Sequence, residues 1–363
     1  MLFNKSVVLL LFCSIVLSGS DDNVGNSDVG IDKAALLTNY ADNIIIPAFE
    51  QIYTNALILE QTFDDLKEGY TESKLNKLQQ SFKEVRKNWQ YCSPFGFGPA
   101  EDLLLRQSIN TFPTDTFRIK DNISIGDYNL TISSNFKAKG LPALDYLLFS
   151  VDYSEEEVQF TDAKRIKYIE DIIDDMLMNL KEVRDNWQTY REEFISRTGN
   201  DVGSSLSQMI NEFIFDYEIA KNAKLAFPLG LRSSDILPYH FEAPYSQLSS
   251  FLLSDNLAAY RQIITGPDYN DETKTDNLYE YLNELSATRG DSLLADVILR
   301  EFDETTTLFN KLDISFFRSV GLESEKAKIE AGYKNMQETT VLFKNDMTSA
   351  LGIRITYQDN DGD

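Results

Sequence analysis

The chain has 363 residues, more than one hydrophobic core usually organises, and 42% of them are apolar, enough for two cores. Its 34 Lys and Arg stand against 58 Asp and Glu, and a formal charge of −24 repels phosphate backbones and anionic membranes, which removes nucleic acid from the expected partners. A single histidine, His240, excludes HExxH, two-His-one-carboxylate and His-rich zinc sites and leaves at most one His-based dyad.

Residues Met1 to Lys5 carry one positive charge, the apolar run VVLLLFCSIVL follows, and Ser18-Gly19-Ser20 supply small residues for cleavage. That order is a secretory signal, too short to span a bilayer comfortably, so residues 1–20 read as a signal peptide and the protein as exported, in the periplasm or secreted. An outer-membrane lipoprotein is the second reading: LSGS resembles a lipoprotein processing site with Ser20 where a lipid-bearing Cys would stand, while Cys13 follows the bulky Phe12. After cleavage Cys92 is alone, so stability must come from packing and not from an internal disulfide. Residues 21–30, polar and glycine-bearing, read as a disordered tether.

Helical periodicity then begins. Phe49, Ile52, Tyr53, Ala56 and Phe63 recur at helical spacing, and Pro47 should bend or restart this helix. KEVRKNWQ, at 83–90, returns as KEVRDNWQ at 181–188, and the two copies hold both tryptophans. Leu75, Leu78, Phe82, Val85 and Trp89 step by three and four, as do Ile173, Met176, Leu180, Val183 and Trp187. Two core helices of similar design explain this; so does an ancient duplication of a bundle unit. Ser154 with Glu157 has the pattern of a capping box, and Gly199-Asn200 should stop the helix that carries Trp187. Further amphipathic stretches cover about 204–226, 246–265, 273–286, 291–312 and 324–351. Alternation suited to strands is confined to 122–132 and 353–357, so the fold is mostly α. The ending DNDGD lacks the distal glutamate of a calcium loop and reads as an acidic tail, residues 358–363.

Three junctions have the composition of loops entering helices: SPFGFGPAEDL from Ser93, KGLPALDYLLF from Lys139, and the stretch 225–251 with three prolines, His240 and Glu242. In the second, Pro142 suits a first helical turn and Asp145 would complement the positive end of the helix dipole. An acid among Leu141, Leu144, Tyr146, Leu147, Leu148 and Phe149 is also expected to be partly buried, and a buried carboxylate needs a partner.

AKGLPALDYLLF, at 138–149, resembles the signature region of the imelysin family, whose members are also called insulin-cleaving membrane proteases and iron-regulated proteins. Other segments agree in order: NYADNIIIPAFEQI (39–52), RKNWQYCSPFGFGP (86–99), INTFPTD (109–115), LAFPLGLRS (225–233) and FEAPYSQLSSFLLSDN (241–256). The resemblance spans residues 31–357. It implies an all-α fold of two packed four-helix-bundle-like domains, 31–200 and 201–357, with a pocket between them near the signature. Many members spell that signature Gly-x-His-x-x-Glu, with His and Glu on one helix face able to grip a metal. Here Gly140 matches, Pro142 takes the histidine place and Asp145 the glutamate place, while Ser93 stands where relatives often carry another glutamate. Proline offers a metal no lone pair, and serine is a poor neutral ligand.

Asp145 and Glu242 remain as a candidate carboxylate pair for a cation, supported by Ser246 and Ser249, which share a helix face if the helix starts near Ser246. The plainer reading makes Glu242 an acceptor for a helix start and Ser246 an N-cap. His240, between Tyr239 and Phe241, reads as a packed or loop residue and not as a ligand. The leading reading is a monomeric, exported binding protein, non-catalytic because the signature histidine is replaced, that resembles imelysins linked to acquisition of iron, another divalent cation or a small ligand, with an outer-membrane uptake partner. A metallopeptidase is the runner-up, opposed by the missing histidine. A polysaccharide- or protein-binding surface component comes third, opposed by the charge.

Overall fold

Helix α1 (Lys33–Tyr40) opens on Asp32, whose carboxylate accepts from the N–H groups of Ala34 and Ala35 and satisfies donors that have no intrahelical acceptor. The computed structural model describes residues 32–151, 153–232, 235–267, 276–312 and 315–357; the stretches expected to be a signal peptide, with Ser20, a tether and an acidic tail lie outside them. A π-turn, Ala41–Ile45, carries α1 into α2 (Ile46–Lys67). Pro47 sits in the first turn of α2, so the restart expected there is what forms: at that position the helix needs no N–H from proline.

The side-chain oxygen of Thr71 caps α3 (Glu72–Cys92). Short helices follow: α4 (Pro99–Asp102), α5 (Leu105–Ile109), α6 (Thr116–Ile125), α7 (Gly140–Phe149) and α8 (Glu156–Gln159). Asp162 caps the long α9 (Ala163–Ser196). Helix α2 packs along both α3 and α9, with α1 and α7 against α9. Both apolar stripes read from the sequence are buried, from Leu75 to Trp89 on α3 and from Ile173 to Trp187 on α9. Trp187 is enclosed by Phe49, Phe97, Tyr190 and Phe194.

The rest of the chain forms α10 (Ser205–Lys221), α11 (Ser249–Thr265) and α12 (Leu278–Glu284). A two-strand hairpin, β1 (Thr288–Arg289) with β2 (Ser292–Leu293), leads to α13 (Leu294–Phe309), α14 (Phe316–Ser319) and α15 (Glu323–Val341), which continues through a π-turn into α16 (Thr348–Leu351). Helix α13 packs on α15 and α11, and α10 on α15 and α11. Helix α11 also lies on α3, and α10 on the 3-10 turn Ser93–Phe95, so contacts run through the expected boundary near residue 200 and the described residues form one compact unit. No helix among them is long and apolar enough to cross a membrane.

Two local expectations are corrected. Ser154 lies in a 3-10 turn and caps nothing, because α8 starts from Glu155 and the cap that matters is Asp162. Neither 122–132 nor 353–357 is a strand: Asn122 to Ile125 complete α6, which Gly126 ends in a left-handed conformation.

Candidate functional site

The signature begins at Gly140, where the backbone turns through φ +67°. A Cβ there would lie 2.4 Å from the carbonyl oxygen of Ile109 and 2.7 Å from that of Ser108, so glycine is what lets α7 start against the end of α5. Pro142 is buried in the first turn, where a missing N–H costs nothing. Asp145 stands a turn further in, fully buried, and does not serve the helix dipole as the sequence suggested. Its Oδ2 accepts the N–H of Tyr245 at 3.0 Å and its Oδ1 that of Ser246 at 3.2 Å. Burial raises its pKa, outweighing the nearby Arg86 charge and these bonds.

Those two N–H groups belong to a turn with unusual backbone. Ala243 at φ 53° and Gln247 at φ 60° are non-glycine residues in the left-handed region, each costing about 1 kcal/mol or more and held by its surroundings. Asp145 is one such holder, and Ser249 Oγ, which donates to the carbonyl of Glu242, is another. Helix α11 consequently starts at Ser249 after Leu248. Ser246 is not its N-cap and shares no helix face with Ser249, because the left-handed Gln247 and then Leu248 separate it from the first helical residue and its Oγ caps no backbone N–H.

Glu242 is equally buried but differently partnered. Asn110 Nδ2 donates to Oε1 at 2.9 Å and Gln90 Nε2 at 3.2 Å, while Lys224 Nζ lies 2.7 Å from Oε2 and Arg86 Nη1 3.7 Å from Oε1. Burial alone would raise its pKa; the charges of Lys224 and then Arg86, with the hydrogen bond from Asn110, bring it below the usual glutamate value. The two acids thus have separate donors and one neighbour in common, the fully buried Arg86, whose Nη1 also donates to Asn110 Oδ1 at 2.7 Å.

The network continues toward Ser93. Lys224 donates to Gln90 Oε1 at 2.7 Å and to Asn256 Oδ1, and Asn256 Nδ2 donates to Gln90 O at 3.2 Å. Ser93 Oγ donates to Asp216 Oδ2 at 2.8 Å, where Tyr260 OH also donates at 2.8 Å. Arg106 bridges Glu212 at 2.7 Å and Asp216 at 3.0 Å. Ser93 therefore belongs with Asp216 and Arg106, on the far side of Asn256 from Glu242. The remaining thiol, Cys92, donates to Ala48 O at 3.3 Å, and burial pushes its pKa up, which makes it a packing residue and not a nucleophile.

Beside the Asp145-held turn opens a cavity of about 400 Å³, walled by Pro113, Thr114 and Thr116 on one side and Tyr239, His240 and Tyr245 on the other. His240 stacks on Phe227 at 5.6 Å, and burial, then Lys137, lowers its pKa. The turn that supplies Tyr245 to this wall is the one that Asp145 fixes.

A metal resident at the signature does not fit these residues. A cation shared by Asp145 and Glu242 would have to displace the ammonium of Lys224 and lie against Arg86, and the remaining neighbours are amides and backbone N–H groups. Among the described residues no three His, Cys, Asp or Glu come together as ligands. Sequence reasoning missed Arg86, Gln90, Asn110, Lys224, Asn256 and Asp216. For the first two a signal existed: Phe82, Arg86 and Gln90 are spaced four apart, on one ridge beside the apolar stripe.

The chain's relatives agree with this architecture. The family model for imelysin matches residues 45–343. An imelysin-like protein from Psychrobacter arcticum 273-4 superposes with a TM-score of 0.69 at 19% identity, over 90% of this chain and 98% of that one. A putative iron-regulated protein A precursor from Parabacteroides distasonis ATCC 8503 gives 0.72 at 16% identity, over 87% and 95%. No curated protein matches the chain by sequence. With most of its length matched by the family model and the same helical fold in both neighbours, this chain belongs to the imelysin family.

Proposed function

We propose that this chain is an exported, non-catalytic binding protein that serves the acquisition of iron or another small ligand, which it receives in the cleft between residues 113–116 and 239–245 and passes to an uptake partner at the outer membrane. One observation carries the reading: both carboxylates at the signature are already occupied by protein donors, Asp145 by the N–H groups of Tyr245 and Ser246 and Glu242 by Asn110, Gln90 and Lys224. Hydrolysis by a bound metal needs strong ligands with an open coordination position and a base free to take a proton. What these acids do instead is hold the turn that lines the cleft. The name of the Parabacteroides neighbour, an iron-regulated protein A precursor, supports both the link to iron and export.

The experiment has two arms. In calorimetric titration with ferrous, ferric and zinc salts and with ferric citrate, an iron form binds saturably and Tyr239→Ala weakens it roughly tenfold or more, as loss of an aromatic wall residue should. Insulin B chain incubated with the protein stays intact with or without chelator. Chelator-sensitive cleavage contradicts the reading, as does iron binding that is absent or indifferent to Tyr239→Ala.

A further inference from the structure

Five Lys or Arg side chains are buried among the described residues: Arg86, Lys139, Arg165, Lys221 and Lys224. Four of them have an acid within ion-pairing distance. Arg86 and Lys224 share Glu242, Lys139 has Asp175 at 2.9 Å, and Lys221 has Glu218 at 3.6 Å. Arg165, in the first turn of α9, is the exception. It is 8% exposed, yet no carboxylate of the described residues pairs with it. Asp162, the acid nearest in sequence, spends Oδ1 on the Arg165 backbone N–H. Of the guanidinium nitrogens, Nη2 donates to Leu147 O at 2.5 Å, Nε makes no hydrogen bond, and Nη1 has no protein partner. The ring of Phe160, 5.7 Å from Cζ, offsets part of the desolvation, but burial still disfavours the charge. In a chain with an excess of acids, a buried arginine that forms no ion pair among the described residues, and feels Asp162 only as a charge nearby, is an anomaly.

Arg165 lines a second cavity, of about 350 Å³, between α6, α7 and the start of α9. Ile119, Ile123, Tyr146 and Val151 give it an apolar wall. Lys120 adds a second cation; Glu155 and Asp162 stand in the same lining and oppose a ligand of high negative charge. The volume lies in the range of small-molecule sites. A planar guanidinium with free donors matches a carboxylate in geometry as well as charge.

We infer that this cavity is a binding site for a small organic monocarboxylate, its carboxylate on Arg165 and its apolar body against Ile119, Ile123 and Tyr146. The site is separate from the cleft at Tyr239, although the rings of Tyr146 and Tyr245 touch at 5.2 Å between the two cavities.

Benzoate and its neutral isostere benzamide, titrated calorimetrically into the full chain, test this. Benzoate binds saturably, benzamide binds roughly tenfold or more weakly, and Arg165→Gln reduces benzoate to the benzamide level. Equal binding of the two probes, or no saturable binding of benzoate, overturns the inference on the unaltered protein even if Arg165→Gln does not fold. A folded Arg165→Gln that binds benzoate undiminished overturns it as well.

Discussion

The octapeptides at 83–90 and 181–188 differ at one position, Lys87 against Asp185, yet the molecule uses them differently. In both, the Val and the Trp are buried, on helices that each pack along α2. In the first copy Arg86 and Gln90 are wholly buried as well. In the second, Arg184 remains partly exposed over the ring of Tyr53, 4.2 Å from its centroid, and bonds to Asp185, while Gln188 is exposed. Helix α3 is covered by α11 as well as by α2, so its polar flank is desolvated and must find partners. The corresponding flank of α9 meets water. The shared letters encode an apolar stripe; the fate of the polar residues beside it is decided by what a distant segment lays on top.

Substitution at the paired positions can break this contrast. Arg86→Ala should cost about 3–5 kcal/mol, because it removes a buried cation facing Glu242 and Asp145, while Arg184→Ala should cost about 0.5 kcal/mol or less. Denaturant unfolding reads both, and similar losses would show that the burial difference has no energetic meaning. Gln90→Ala comes next, at about 1–3 kcal/mol for unpairing the Lys224 ammonium, a Glu242 oxygen and the Arg86 carbonyl, against about 0.5 kcal/mol for Gln188→Ala.

A smaller effect sharpens the comparison by separating the two acids that flank Arg86. Glu242 has a lowered folded pKa, so its contribution is present above the unfolded value and is lost as pH falls through the folded one. Asp145 has a raised folded pKa, so its contribution is present below the unfolded value and is lost as pH rises through the folded one. The penalty of Glu242→Gln should therefore shrink on acidification, whereas Asp145→Asn should gain on the unaltered protein as pH rises. Unfolding midpoints between about pH 3 and pH 7 read the two slopes, and slopes of one sign would contradict the assignment.

How far this arrangement was legible follows from the kind of partner involved. The stripes on α3 and α9 and the restart at Pro47 are local patterns, and they formed as read. The apolar neighbours of Asp145 mark it as an acid needing a partner, but its partners are backbone N–H groups a hundred residues away, which carry no sequence signature. The same is true of Gly140, whose constraint is two carbonyl oxygens of α5. Ser246 has the composition of an N-cap, but the left-handed turn at Gln247 delays the helix to Ser249 and leaves Leu248 in the cap position. Arg86 and Gln90 were visible as ridge neighbours of Phe82, yet charged and amide residues on a helix are ordinarily solvated, and only α11 and the 242 turn make them core residues.

The central claim is that Asp145 and Glu242 are internal partners of Arg86, Lys224 and the 243–248 turn and hold no metal. Crystals soaked in ferrous and zinc salts and measured at the absorption edges of those metals address it most directly. The expected map has no anomalous peak within reach of the two carboxylates, with Lys224 still on Glu242; a peak coordinated by both acids, with Lys224 displaced, would contradict the account.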